Sequence, residues 1–590
     1  MLKEGYTTLR NSDLNGITRR DFIKAAGAGI FLAGVRFALP LPSWASPPGP
    51  EPGITGPKDR YDLTIAYAPL KIDGRTGTAT AINGTVPGPL VHLREGDYVT
   101  LNVTNGLMDT EHASIHWHGV LVPFRMDGVP GVNFAGIRPG ETYEYRFRLK
   151  QAGTYWYHSH SAFQEQTGTY APLIIDPKDG EPFAYDREYT ILLSDWSFES
   201  PDTIFRHLNL RSDYYNFQQR TLWDFFKDVG KRGLANTISE RMAWGRMRMS
   251  PVDLLDVTAS TYTYLMNGHS PAMNWTALFN PGETVRLRFI NGSTMTIFDV
   301  RIPGMDMEVV MADGKSVRPV PVHEFRIGVA ETYDVLVRPK EDRPFTIFAE
   351  SLDRSGYTRG TLSPEPGLEA PVPKLRPRPV RTLEDIGMGG MADMGSGKMK
   401  HGGHAKVRHD PRVPGPNGPT PFKPDKGNTN VAMVVMNPRY RLDEPGIGLG
   451  DDGWRVLIYD DLVSTEPQPY SEIVDREMTI NITATMERYM FSFDGKKFSE
   501  HPGPHLFRHN ERLRLFLVNH TMMEHPIHVH GMWMQLENGA DKLPFKHTVL
   551  TKPGEVLSVL ITPIEKGDWA FHCHLLYHME AGMAQIIRVA

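Results

Sequence analysis

The residues best placed to do chemistry in this 590-residue chain are histidines in pairs. They read His116-Trp117-His118-Gly119, His158-Ser159-His160, His525-Pro526-Ile527-His528-Val529-His530-Gly531 and His572-Cys573-His574, the last running on through His578 to Met583. Cys573 is the only cysteine. A single histidine in a strand is most often a core or surface residue, and His112, His207 and His505 are read that way. In a His-x-His strand, alternation instead puts both imidazoles on one face, aimed at one spot. Four such pairs pooled make one site of eight imidazoles, a set suited to copper, zinc, iron or nickel. Cysteine with histidines and a weak methionine is the ligand set of a blue copper centre. Cys573, His578 and Met583 lie close in sequence, and His525 can give a second imidazole. A zinc site would more typically pair cysteines or space cysteine and histidine differently.

Three recurring segments must position these residues. Residues 95–106, 281–292 and 509–520 each have an acidic lead-in, alternating apolar and polar residues, and a closing asparagine. Residues 138–149, 329–340 and 552–563 form a second set, and 153–160, 343–351 and 567–574 a third, in the same order each time. Period-two alternation predicts strands with one buried face. The repeat predicts an all-β chain of three β-sandwich domains, at 58–182, 186–362 and 429–590. Apolar spacing within 203–256 predicts a helical insertion in the middle domain. Residues 363–428, rich in Pro, Gly, Lys and Met and without periodicity, read as a largely disordered linker. The histidine pairs fall at matching places in the first and third units. The middle unit has Phe298-Asp299-Val300-Arg301 and Phe348-Ala349-Glu350-Ser351 there, so the outer units must meet to pool their histidines.

The remaining features bound the setting. Thr18-Arg19-Arg20-Asp21-Phe22-Ile23-Lys24, a short apolar run and Ser43-Trp44-Ala45 predict a twin-arginine export signal over residues 1–45 and a bacterial periplasmic location. The apolar run is too short to span a membrane, and Arg36 interrupts it. A net charge of −5 gives no basic footprint for nucleic acid. One cysteine leaves no intramolecular disulfide.

The four histidine motifs together resemble those of multicopper oxidases. With the export signal and the Met/His-rich stretch, the chain is similar to the periplasmic copper-resistance members of that family. The resemblance implies cupredoxin-like Greek-key domains, a monomer, and four copper ions. His525, Cys573 and His578, with Met583 as weak axial ligand, would hold the type 1 copper. His116 and His528 would hold the type 2 copper. The type 3 pair would take His118, His158 and His574 on one ion and His160, His530 and His572 on the other. It further implies oxidation of substrate at the type 1 copper and reduction of dioxygen to water at the other three. Asp127 matches a proton-relaying acid, although a plain Asp-Gly turn residue is an equal reading. A second relay acid is not matched, since Met579 and Glu580 follow His578.

Methionine placement suggests the substrate. Met388, Met391, Met394 and Met399, then His401, His404 and His409, lie in the linker, where no core needs them and thioethers suit Cu(I). Met522, Met523, Met532 and Met534 flank His525 and could admit Cu(I) or fill a core. The expectation is a cuprous oxidase in copper resistance, acting on Cu(I) and dioxygen. The alternatives are a laccase-like oxidase of phenols and a copper-sequestering protein with incidental oxidase activity. Partners would be the twin-arginine export machinery and other periplasmic or outer-membrane copper-resistance proteins.

Overall fold

The computed structural model describes residues 58–109, 111–389 and 418–590. The export signal and Met391, Met394, Met399, His401, His404 and His409 lie outside the described residues.

Six sheets form, two to each repeat unit. In every unit the first and second recurring segments pair antiparallel: Tyr98–Asn105 with Thr142–Arg148, Val285–Asn291 with Thr332–Val337, and Leu513–Asn519 with Val556–Ile561. The third segments pair antiparallel in the opposite sheet, Gly153–His158 with His116–His118, Phe345–Ser351 with Phe298–Arg301, and Gly567–Cys573 with His525–Val529. Each unit also has one parallel neighbour to its first segment, Arg60–Ile72, Arg187–Ser197 or Arg476–Thr485. Parallel neighbours need a crossover, so the chain switches sheets between them. In the first unit, Leu63, Val99 and Leu101 of one sheet meet Val91, Tyr155 and Leu173 of the other in a shared core.

Helices Pro201–Leu210, Leu222–Arg232 and Leu234–Met247 interrupt the middle unit. Ser200 starts the first, its side chain accepting from the Thr203 N–H, with Pro201 preset for the first turn. Thr221 and Asp224 form a capping box at the second.

Two expectations need correction. Alternation gave every first segment one wet face, and Tyr98–Asn105 does alternate between buried and accessible. Val285–Asn291 is buried throughout. Its polar positions, Arg286 and Arg288, pair with Asp334, Glu181 and Glu188, and Arg288 also donates to Thr154 of the first unit. A neighbouring domain covers that face, and ion pairing makes the burial tolerable. Likewise, residues 364–389 are not a loose linker. Arg376 pairs with Glu324 and Asp452, Arg381 pairs with Glu524, and the Arg381 N–H donates to the Pro251 carbonyl. Met388 is buried with Leu383, Ile386, Met433 and Val435. It fills a core, so the reasoning that made it a free thioether does not apply.

Candidate metal centres

The two histidine-bearing strand pairs share one register. His116 lies opposite His158, and His528 lies opposite His572. Carried to the middle unit, that register puts Val300 opposite Ala349, with Asp299 and Glu350 in ion pairs with Arg326, Arg354 and Arg301. The middle copy therefore has apolar side chains where the third unit has His528 and His572, and closed charge pairs where it has Ile527 and Cys573.

The outer copies meet. Donor atoms of His118, His158 and His574 all lie within 4.8 Å of one another, as do those of His160, His530 and His572. The same holds for His116, His528 and His530. The rings of His118 and His528 stack at 3.8 Å, and His530 Nε2 lies 3.1 Å from His572 Nε2. All eight paired histidines of the sequence are thus in one cluster.

Five of the eight imidazoles have Nδ1 held by a protein acceptor, whereas both nitrogens of His118 are buried without a partner. His116 Nδ1 contacts the Asp127 carbonyl at 2.7 Å, His528 Nδ1 the His547 carbonyl at 2.7 Å, and His572 Nδ1 the Cys573 carbonyl at 3.0 Å. His530 Nδ1 lies 2.9 Å from Asp127 Oδ2, and His158 Nδ1 lies 2.6 Å from Glu165 Oε2. In contrast, Nε2 of His116, His158, His160, His528 and His574 is buried without a partner. Each such atom costs about 1–3 kcal/mol if left unsatisfied. Fixing Nδ1 by an outer acceptor while Nε2 faces inward is how metal-binding imidazoles are oriented. Burial first, then the neighbouring imidazoles, hold His118, His158, His160, His528 and His574 well below the usual histidine range. They are neutral, as ligands must be. The residues fit a group of bound copper ions.

A second site lies on the other side of the Gly567–Cys573 strand, because period two turns Cys573 away from His572 and His574. Cys573 Sγ is 3.6 Å from His525 Nδ1 and 3.9 Å from His578 Nδ1, and the two Nδ1 atoms are 3.2 Å apart. The Cys573 N–H donates to the Met583 carbonyl at 3.1 Å, which holds Met583, itself fully buried, beside the cysteine. Burial pushes the Cys573 thiol well up, a cost that a coordinated cation reverses by deprotonating it. The outer edges of both imidazoles are capped. His525 Nε2 meets Thr521 Oγ1 at 2.7 Å, and His578 Nε2 meets Asp256 Oδ2 at 2.6 Å. Tyr489 donates to the same Asp256 oxygen, and Phe491 stacks on His578 at 3.7 Å. Burial pushes Asp256 up to about 7, partly offset by the Tyr489 hydrogen bond.

Asp127 is fully buried between His116 and His530, and Asn133 donates to its Oδ2. Burial opposes its charge, but His530 and His116 more than offset this and hold the carboxyl below its usual range. Three residues at these sites carry no sequence signal of the His-x-His kind. Glu165 lies five residues past His160, and burial, with Asp195 nearby, pushes its carboxyl well above the usual range. Asp256 comes from the end of the insertion, and His547 stands alone in Lys-His-Thr-Val. Met522, Met523, Met532 and Met534 are all buried in the core.

Family models described as multicopper oxidase match residues 64–180, 187–366 and 474–590. The chain is 48% identical over 589 residues to the copper resistance protein A homolog of Pseudomonas syringae pv. tomato, covering 97% of this chain and 99% of that protein. It is 46% identical over 616 residues to copper resistance protein A of Escherichia coli, covering 99% of each. Among solved structures, Fet3p, a multicopper oxidase that functions in iron import, aligns with a TM-score of 0.60 at 18% identity over 90% of each chain. The laccase of Botrytis aclada aligns with a TM-score of 0.60 at 20% identity, covering 91% of this chain and 88% of that one. At such identities these two likenesses concern the fold alone.

Proposed function

The chain belongs to the multicopper oxidase family, and from that premise we propose that it oxidises Cu(I) to Cu(II) in the bacterial periplasm, as part of copper resistance. It is a copper-containing oxidase that uses oxygen. The balanced reaction is four Cu(I), one dioxygen and four protons giving four Cu(II) and two waters. In this reading His525, Cys573, His578 and Met583 hold a type 1 copper. His116 and His528 hold a type 2 copper, and the remaining six paired histidines hold a type 3 pair. Bound copper supplies the one-electron steps and the reduction of dioxygen. The protein keeps imidazoles neutral, excludes water from a buried cluster, holds a proton at Glu165, and keeps Asp127 on its edge as a charged carboxylate that can accept one. Cys573 joins the two sites through its own backbone neighbours, His572 and His574.

The observation that carries the choice of substrate is the capping of both type 1 imidazoles. Their Nε2 atoms are buried against Thr521 and Asp256, so a phenol ring has no exposed imidazole edge to touch. A cation needs only an oxygen or sulfur ligand, and Asp256, itself buried with Oδ2 engaged by His578 and Tyr489, keeps Oδ1 without a partner to serve as one. Oxygen uptake by the copper-loaded chain should be faster with Cu(I) than with a dimethoxyphenol. Asp256→Ala, which uncovers His578 Nε2, should move that ratio toward the phenol. Equal turnover of both substrates by the unaltered chain overturns the preference.

The Met/His segment is proposed to capture copper for the same reaction, with Met391, Met394, Met399, His401 and His404 as soft ligands. Met388 belongs to the core, so the deletion that tests this begins after it. Removing 391–409 should lower oxygen uptake at scarce Cu(I) and leave it unchanged at saturating Cu(I). Lost copper tolerance in cells with unchanged uptake at every Cu(I) level makes sequestration the better account. Finding the full-length chain only in the cytoplasmic fraction of those cells removes the periplasmic part.

A further inference from the structure

Helices Leu222–Arg232 and Leu234–Met247 of the middle-unit insertion are joined by Gly233 alone, whose φ of +81° suits glycine. Ion pairs fasten the two together. Arg220 reaches Asp228 of the first and Glu240 of the second, and Arg241 of the second also reaches Asp228. Trp244, on the same side as Glu240, enters the core. At 100° per residue, one side of each helix is committed inward.

The opposite sides are apolar and bare. Leu222, Trp223 and Phe226 are 80, 67 and 62% exposed. Leu234, Ile238 and Met242, spaced by four, form an exposed stripe along the second helix. An amphipathic helix ordinarily buries such a stripe. The charges beside both stripes are of one sign. Asp228 and Glu240 are taken by arginines, and Asp224 accepts from the N–H and hydroxyl of Thr221. Lys227 and Lys231 flank the first stripe and Arg246 the second. All three are exposed and pair with no carboxylate among the described residues. The span 222–247 has five Lys/Arg against three Asp/Glu, in a chain of net charge −5. A second copy of this face would set the same cations against each other, which disfavours self-association.

We propose that this helix pair docks the protein on a bilayer surface rich in anionic phospholipid. The Trp223, Phe226 and Leu222 side chains enter the boundary between headgroups and acyl chains, and Leu234, Ile238 and Met242 extend that contact. Lys227, Lys231 and Arg246 meet the lipid phosphates. An apolar face flanked by Lys and Arg is the composition of helices that lie in a membrane interface.

Flotation of the full chain with vesicles tests this. It should float with vesicles of phosphatidylglycerol and phosphatidylethanolamine, and stay behind with vesicles of phosphatidylcholine alone. Trp223→Ser combined with Phe226→Ser should abolish flotation. Lys227→Gln combined with Lys231→Gln should weaken it about 30-fold. All four side chains are exposed, so thermal unfolding should be unchanged in both variants. No flotation with either vesicle, or equal flotation with both, overturns the proposal, and neither result needs a variant to fold. A dimer in sedimentation velocity that Trp223→Ser dissolves also overturns it, because a second copy then covers the face.

Discussion

Cys573→Ser should give a copper-binding but colourless protein with no oxygen uptake. The blue absorption of such a site comes from thiolate-to-copper charge transfer, and serine offers a hard, protonated oxygen at that place. The change falls on one face of the Gly567–Cys573 strand, whereas His572 and His574 lie on the other. The backbone hydrogen bond from residue 573 to the Met583 carbonyl does not depend on the side chain. The buried hydroxyl costs about 1–3 kcal/mol if it finds no partner, too little to unfold the domain. A visible spectrum, a copper assay and EPR on one sample suffice. The type 2 signal should remain while the blue band and oxygen uptake vanish. A blue band of undiminished strength in the variant sinks the assignment of Cys573.

Lys546→Met should be among the most destabilising single changes in the described chain. Lys546 is fully buried and lies 3.1 Å from Asp313 and 2.8 Å from Glu331, both in the middle unit, with the faces of Tyr333 and Tyr459 at 5.0 and 5.4 Å. Burial disfavours its charge, but Asp313 and Glu331 outweigh this and keep it protonated. Removing the cation leaves two buried carboxylates unpaired, a loss of about 3–5 kcal/mol. Asp313 also accepts the N–H groups of His547 and Thr548, and the His547 carbonyl holds His528. Copper should therefore be lost from the eight-histidine cluster before it is lost from Cys573. Thermal unfolding with copper counted at each site checks both parts. Adding Asp313→Asn and Glu331→Gln should recover a share of the stability. A variant as stable as the parent would falsify the pairing.

The architecture was legible because the three units repeat their strands in one order, and the paired histidines were legible because period two makes His-x-His a one-sided device. What stayed hidden depends on what lies across a strand from a residue. Arg286 and Arg288 look like a wet face, since alternation reports side-chain chemistry and not the domain that covers it. Residues 364–389 lack periodicity, yet Arg376 and Arg381 pin them by ion pairs that no spacing rule anticipates. Glu165 touches His158, Asp256 touches His578, and the His547 carbonyl touches His528. Asp256 is 322 positions from His578, and nothing in the local sequence around it marks a partner that far away.

The two sites differ in how much of the chain must exist before they do. His525, Cys573, His578 and Met583 come from one sandwich, and that site closes within the last unit, with Asp256 added across the domain boundary. The cluster instead draws His116, His118, His158 and His160 from the beginning of the fold and His528, His530, His572 and His574 from its end. During synthesis, copper reaching an unfinished chain meets only isolated histidine pairs, because the long-range contacts that complete the site form last. A fully occupied cluster would therefore record completed assembly, and a chain that stopped short of its last domain would lack His528, His530, His572 and His574.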